Sequence, residues 1–440
     1  MVFFGWWIAW AGCWLYFLNA LAFTYGFSLF VEPLSREFGW SRAAISAVWS
    51  ATLGVGMISA VPAGWALDRW GARAVALATV PLVAAGWIGV TLVTSYWAYF
   101  LVFAGLVGLG IQPALVMAGQ SAVANWFRRE RGQAFAILSQ GAGLAGIFGV
   151  PLIGWLLSLG DWRVAARALG LLILVAGLGL SLVLRPDPAR YHLEPDGGST
   201  PDSRRSRSDR PRRDTWRERL PAALQRTAPA DTSLTPVEAR ATLTFWLLMG
   251  VYVARFVGMG VVTLHLVPYL QQQGHPAATA SFALGLGLAA SLPGRAIFGW
   301  AADRIATRWL LGVCLICQAA SLVPVLLAGG ESGLPLYLYA VLWGLGLGSE
   351  NLIHSIRAEY FGQQFFGVIS GYFTWPQMIG RMSGALIGGV ILDQLGSYLA
   401  AFLIAAALYG LAAGLAFACG RPTPPARSSP ADPAQIPLRI

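Results

Sequence analysis

The chain has 440 residues, of which 56% are hydrophobic and only 11% charged. Soluble proteins carry about 25% charged residues, so this composition excludes an ordinary soluble domain and points to a membrane protein with several spans. The formal net charge of +10 raises nucleic acid as a partner, but the placement of the arginines excludes it: twelve fall in one polar segment between Arg185 and Arg240, and most others lie in short loops of one parity.

A helix needs about 20 apolar residues to cross a bilayer. Twelve such runs follow one another, over residues 5–31, 43–66, 75–94, 97–123, 133–157 and 164–184, then 243–270, 277–300, 309–328, 335–357, 367–391 and 398–419. No positive residue precedes the first run, so it reads as a retained helix rather than a cleaved signal. The predicted fold class is an all-α membrane protein of two pseudo-symmetric six-helix bundles, 1–184 and 242–420. Residues 185–241 are rich in Pro, Ser, Arg and Asp and cannot bury enough apolar surface to fold alone. They are expected to form a disordered basic linker, with a short helix near Trp216–Leu224 able to lie on a membrane surface. The Pro-rich tail 421–440 is expected to be disordered as well. With the N-terminus inside, the inner loops collect Arg69, Arg73, Arg128, Arg129, Arg131, Arg304, Arg308 and the linker arginines, which predicts that both termini are cytoplasmic.

The two halves repeat each other. Gly64-Trp-Ala-Leu-Asp68-Arg69-Trp-Gly71-Ala-Arg73 returns 235 residues later as Gly299-Trp-Ala-Ala-Asp303-Arg304-Ile-Ala-Thr-Arg308. A second echo keeps the register: Phe127, before Arg128-Arg-Glu-Arg131-Gly132, corresponds to Phe361, before Gly362-Gln-Gln-Phe-Phe-Gly367. Duplicated membrane bundles with a site between them are a transporter design.

All 30 basic residues are arginine, so no lysine is available as ligand or proton carrier. Cys314 and Cys317 form a C-x-x-C, but without the βαβ context of a redox motif they read as small helix residues. No metal-ligand cluster, nucleophile–base set or cofactor fingerprint appears, so neither enzyme activity nor a cofactor is expected. Ionisable residues in mid-helix are functional candidates by default. Four stand out, all in the second half: Arg255, Arg295, Glu350 and Arg381. At about 1.5 Å per residue, Arg295 and Glu350 lie at similar height, which allows them to pair. An anion would relieve the excess of positive charge, and a guanidinium matches a carboxylate with two parallel hydrogen bonds. His354, one turn beyond Glu350, is a candidate partner in proton coupling, and His265 reads as a helix-end hydrogen bonder. Asn19, Tyr25, Gln112, Gln120, Tyr252 and Gln377 are candidate polar wall residues.

The Gly64–Arg73 motif and its repeat resemble the signature between helices 2 and 3 of the major facilitator superfamily, in the second copy with Ala306 at one glycine position. The resemblance implies that Asp68, Arg69, Arg73, Asp303, Arg304 and Arg308 form an inner latch that stabilises the outward-open state. A narrower resemblance is carried by Tyr25–Arg42, His265-Leu-Val-Pro268-Tyr, Gly294-Arg295, Gly348-Ser-Glu350 and Tyr360-Phe-Gly362. Together these are similar to the monocarboxylate porter and oxalate/formate antiporter branch, in which the arginine matching Arg295 anchors the carboxylate. Thr24 and Ser291 stand where animal members carry a lysine and an aspartate. The implied partners are a small carboxylate, a proton or counter-anion, and the bilayer, for a chain acting as a monomer. The other readings are a drug effluxer of the same superfamily, with an aromatic, weakly charged cavity, and a membrane receptor that binds without flux.

Overall fold

A computed structural model describes residues 3–185, 187–191, 193–197, 233–327 and 333–422. Among the described residues the chain crosses the molecule twelve times as helix. The first half contains α1 (Gly5–Phe38), α2 (Arg42–Trp70), α3 (Ala72–Leu92), α4 (Tyr96–Trp126), α5 (Arg131–Ser158) and α6 (Trp162–Val183). The second contains α7 (Leu243–Gln272), α8 (Ala277–Ala302), α9 (Thr307–Leu326), α10 (Leu334–Gly346 and Ser349–Phe361), α11 (Phe366–Leu395) and α12 (Leu399–Ala418). Each predicted span falls on one of these helices. Ten passes are long and apolar enough to cross a membrane. The other two are α10 and α11, and α10 is interrupted at Leu347–Gly348 and carries Glu350, Arg357 and Glu359 in its second part.

Each half has its own apolar core, one built almost wholly from the first half and one wholly from the second. Between them lies a thinner seam. There α2 runs against α11, and α5 against α8 and α10. In lipid, where water drives no apolar association, small residues let backbones approach closely. The seam uses them in that way. A Cβ on Gly64 would stand 2.2 Å from the Gly367 carbonyl oxygen, and a Cβ on Gly132 would stand 2.3 Å from the Gly299 carbonyl oxygen.

Four short π-helical segments interrupt the first half: Ala20–Tyr25, Leu101–Val107, Pro113–Met117 and Ala145–Gly149. Such widened turns are frequent at functional sites. The first ends on Tyr25.

Most of the linker, including the Trp216–Leu224 stretch, lies outside the described residues, as does the tail from 423. The described linker ends are tied down. Asp196, in a left-handed conformation (φ 61°), accepts hydrogen bonds from the Arg128, Arg129 and Glu130 amides before α5. Burial and the neighbouring Asp196 carboxylate push the Glu130 carboxyl above its ordinary pKa, against the pull of Arg304. At the other end, Ser233 Oγ accepts from the Gln363 and Gln364 amides before α11.

Candidate functional site

The two copies of the repeated motif meet at one end of the seam, and each closes it in the same way. Asp68, in the last turn of α2, accepts from the amides of Gly367 (2.7 Å) and Val368 (2.9 Å) in the first turn of α11. Asp303, just past α8, accepts from Gly132 (2.6 Å) and Gln133 (3.1 Å) in the first turn of α5. A carboxylate at the C-terminus of its own helix is opposed by that helix dipole. Here each is satisfied by the free amides and positive dipole end of a helix in the opposite half. That compensation exists only while this end is shut.

The arginines of the motif make contacts of their own, and Arg304 lies within electrostatic reach of Glu130 in the opposite half. Arg69 lies 5.3 Å from the Trp65 ring centre, and Arg73 is exposed. Arg304 donates to the Trp300 carbonyl and Arg308 to the Cys419 carbonyl, both within their own half. The resemblance implied a latch of paired Asp and Arg; across the seam Asp68 and Asp303 bind backbone amides. Asp303→Asn keeps one acceptor oxygen and loses the charge. With hydrogen bonds to charged groups worth about 1.5–3 kcal/mol, it is expected to reduce the closed population at this end about tenfold, read as the distance distribution between spin labels on the two halves.

Halfway along the seam lies a polar centre. Arg255, fully buried in α7, donates from Nε to Ser349 Oγ (2.9 Å) and from its terminal nitrogen to Glu350 Oε2 (2.7 Å). The sequence reading paired Glu350 with Arg295, and the structure corrects it. Sequence spacing gives distance along a helix, but the direction of a side chain depends on rotation about the axis. The break at Leu347–Gly348 restarts α10, so Ser349 and Glu350 open a new helical turn facing α7. The dipole of that turn favours an acidic residue there.

Arg295 enters the seam instead. It is 6% exposed, donates to the Ser139 carbonyl of α5, and leaves its Nε without a partner. Arg381 lies 5.1 Å from the Phe256 ring centre, and its Nε is also unpartnered. Among the described residues neither arginine has a carboxylate at ion-pair distance. Tyr16, absent from the sequence candidates, reaches across from α1, its hydroxyl donating to Glu350 Oε1 at 3.4 Å. Tyr25 lies within electrostatic reach of Arg295, Arg381 and Glu350. Tyr25 and Arg381 stand in this centre, and both are partly exposed.

Other candidates go to different places. Tyr252 is buried within the second half, its hydroxyl donating to the Ile353 carbonyl. Asn19 and Gln377 are half-buried. His265 Nε2 lies 2.9 Å from the Ala385 carbonyl within its own half. His354 meets Gln120 of α4 across the seam and Arg357 on its own helix. Arg357 is 3% exposed and is the charge that the sequence reading leaves out. Ending the tenth span at 357 puts it at the wet boundary, whereas the helix continues to Phe361. Among the described residues no cluster of His, Cys, Asp and Glu has metal-site geometry, and the four cysteines are free.

A family model described as the Major Facilitator Superfamily matches residues 12–374 and 248–439. The chain is 24% identical over 417 residues to monocarboxylate transporter 13 of Rattus norvegicus, an alignment covering 89% of this chain and 84% of that one. It is 22% identical over 394 residues to the oxalate:formate antiporter of Oxalobacter formigenes, covering 89% and 86%. It superposes on the crystal structure of the transporter FucP in the outward conformation with a TM-score of 0.67 at 18% identity, covering 93% and 98%. The last likeness is one of fold. The relatives are transporters rather than enzymes, and they agree with the monocarboxylate and oxalate–formate branch. With the family model spanning both halves and both copies of the gate motif, the chain belongs to the major facilitator superfamily.

Proposed function

We propose that the protein is a secondary transporter of small organic anions, monocarboxylates foremost, which works by alternating access in the cytoplasmic membrane of a bacterium, as a monomer with both termini cytoplasmic. The observation that carries this reading is the pair Arg295 and Arg381. Each is a cation in the central seam with an unpartnered Nε and no carboxylate at ion-pair distance among the described residues. A substrate carboxylate supplies the missing acceptor, and the planar fork of Arg295 receives it with two parallel hydrogen bonds. The printed names of the two relatives point to the same substrate class. The arginine-rich loops support a cytoplasmic gated end, which makes this the outward-facing state.

Exchange of one anion for another fits the centre better than proton symport through Glu350. That carboxylate is already engaged by Arg255 and Tyr16. A substrate anion leaving the two free arginines exposes their charge again, and a second anion is the simplest species to cover it for the return.

The test is uptake of labelled formate, lactate and oxalate into proteoliposomes, with an inward proton gradient or with internal anion. Counter-anion should drive uptake, and Arg295→Gln is expected to lower it at least about 30-fold, since unpairing one charged bond costs about 2–5 kcal/mol. Uptake driven by the proton gradient alone would replace exchange with symport. Absence of carboxylate uptake by folded wild type would refute the substrate class.

A further inference from the structure

Arg357 presents a charge that the central site does not use. It lies seven residues beyond Glu350 on α10, about 10 Å nearer the gated end at 1.5 Å per residue. It is 3% exposed, and its Nε has no partner. Its ring neighbours are Tyr252, Phe366 and Phe373, with centres 5.4 to 5.7 Å away. These faces hold a guanidinium in place, but a cation–π contact is worth about 0.5–2 kcal/mol. That is below the several kcal/mol needed to bury a charge with no carboxylate at ion-pair distance.

The hydrogen-bonding neighbours are neutral and few; Glu350 lies within electrostatic reach of Arg357, but its ion pair is with Arg255. Arg357 donates to His354 Nδ1, and its second contact is Gln120 Oε1 at 3.5 Å. Because Nδ1 accepts, His354 carries its proton on Nε2. That Nε2 lies 3.3 Å from the Gln120 side-chain nitrogen, so two donors face each other. Turning the amide over would give His354 its acceptor and take it from Arg357. In either orientation the cluster holds more N–H groups than acceptors. The acceptor oxygens of an anion would fill that deficit.

We propose that Arg357, with the Nε2–H of His354, forms a second carboxylate-binding station on the cytoplasmic side of the central arginines. The proposal rests on the anion-transport reading above and assigns the inner half of the path. Gln120 belongs to the first half, whereas His354 and Arg357 belong to the second. When Asp68 and Asp303 release their helices and the halves part at the gated end, Gln120 withdraws. The guanidinium fork and the imidazole N–H then face the opening together. A carboxylate leaving Arg295 finds a second pair of donors one step inward, and an anion entering from the cytoplasm meets them first. In the sealed state Gln120 stands in for it as a weak, neutral substitute.

The experiment measures half-saturation separately at each face of oriented proteoliposomes, using whichever of formate, lactate and oxalate the wild type carries fastest. Arg357→Gln should raise the cytoplasmic half-saturation concentration at least tenfold and the external one less than twofold. Arg357→Lys, which keeps the charge and loses the fork, should fall between. Gln120→Glu installs a resident carboxylate beside Arg357 without leaving the charge unpaired, so it provides the same test if Arg357→Gln does not fold. It should raise the cytoplasmic value at least tenfold by competition. Equal changes at both faces, or none, would overturn the second station while leaving the transport reading intact. No carboxylate flux in the wild type would overturn both.

Discussion

Gly64→Ala is expected to hold the cytoplasmic end open. The added Cβ would stand 2.2 Å from the Gly367 carbonyl oxygen and 2.5 Å from its carbon, and both are backbone atoms with no side-chain freedom to yield. Alanine also raises the helix propensity of α2, but α2 is helical in either state, so that gain does not bias the equilibrium. What remains is the overlap, present only when α2 and α11 touch. Overpacked contacts cost about 1–3 kcal/mol, and a bias of about 1–3 kcal/mol shifts a two-state ratio by 5- to 150-fold. Spin labels on cysteines replacing the exposed Arg73 and Gln364, in opposite halves at this end, should show the longer separation as the major population. Melting temperature should stay near the wild-type value, because the apolar core of each half lies away from the contact. A distance distribution identical to that of the wild type would show that the Gly64–Gly367 approach does not control closure.

The same contact shows what the sequence could convey. Apolar runs report spans directly, because a bilayer demands length and hydrophobicity of every helix that crosses it. The echo reported more. Gly132 follows Gly64 by 68 residues, and Gly367 follows Gly299 by the same interval. Those four glycines are the close approaches of the gate, crossed between halves. The repeated interval is therefore legible in the sequence, but the crossing is not, since a repeat says which residues are equivalent and not which ones touch. The aspartates illustrate the same limit. A carboxylate beside arginines reads as half of an ion pair, yet backbone amides of a helix start leave no mark in a sequence, and they are what Asp68 and Asp303 bind. In the centre, the charged residues were legible as expensive and hence informative. Their pairing was not, because the break after Gly346 sets the facing of Glu350. Tyr16 escaped because a tyrosine within an apolar helix looks like core until its hydroxyl is seen to cross the seam.

Removing either partner of the Arg255–Glu350 pair is expected to destabilise the fold, and unequally. Breaking a buried ion pair on one side costs about 3–5 kcal/mol, because the surviving charge stays buried without compensation. Arg255→Met leaves Glu350 in electrostatic reach of Arg381 and Arg295, and still bonded by Tyr16, so it should fall at the lower end. Glu350→Leu leaves Arg255 fully buried, with Ser349 as its remaining hydrogen-bond acceptor and one terminal nitrogen already without a partner. It should fall at the upper end. The double variant Arg255→Met/Glu350→Leu removes both charges and should recover most of the loss, since an apolar pair of similar volume often replaces a buried ion pair at little cost. Denaturation of the purified protein in detergent, analysed as a double-mutant cycle, measures all three. Independent, additive losses would show that the two side chains do not stabilise each other. Transport by the recovered double variant then separates structure from mechanism. Retained exchange would make the pair a scaffold that positions α10 against α7. Exchange lost in a folded protein would make Glu350 the group whose release from Arg255 accompanies passage of the anion.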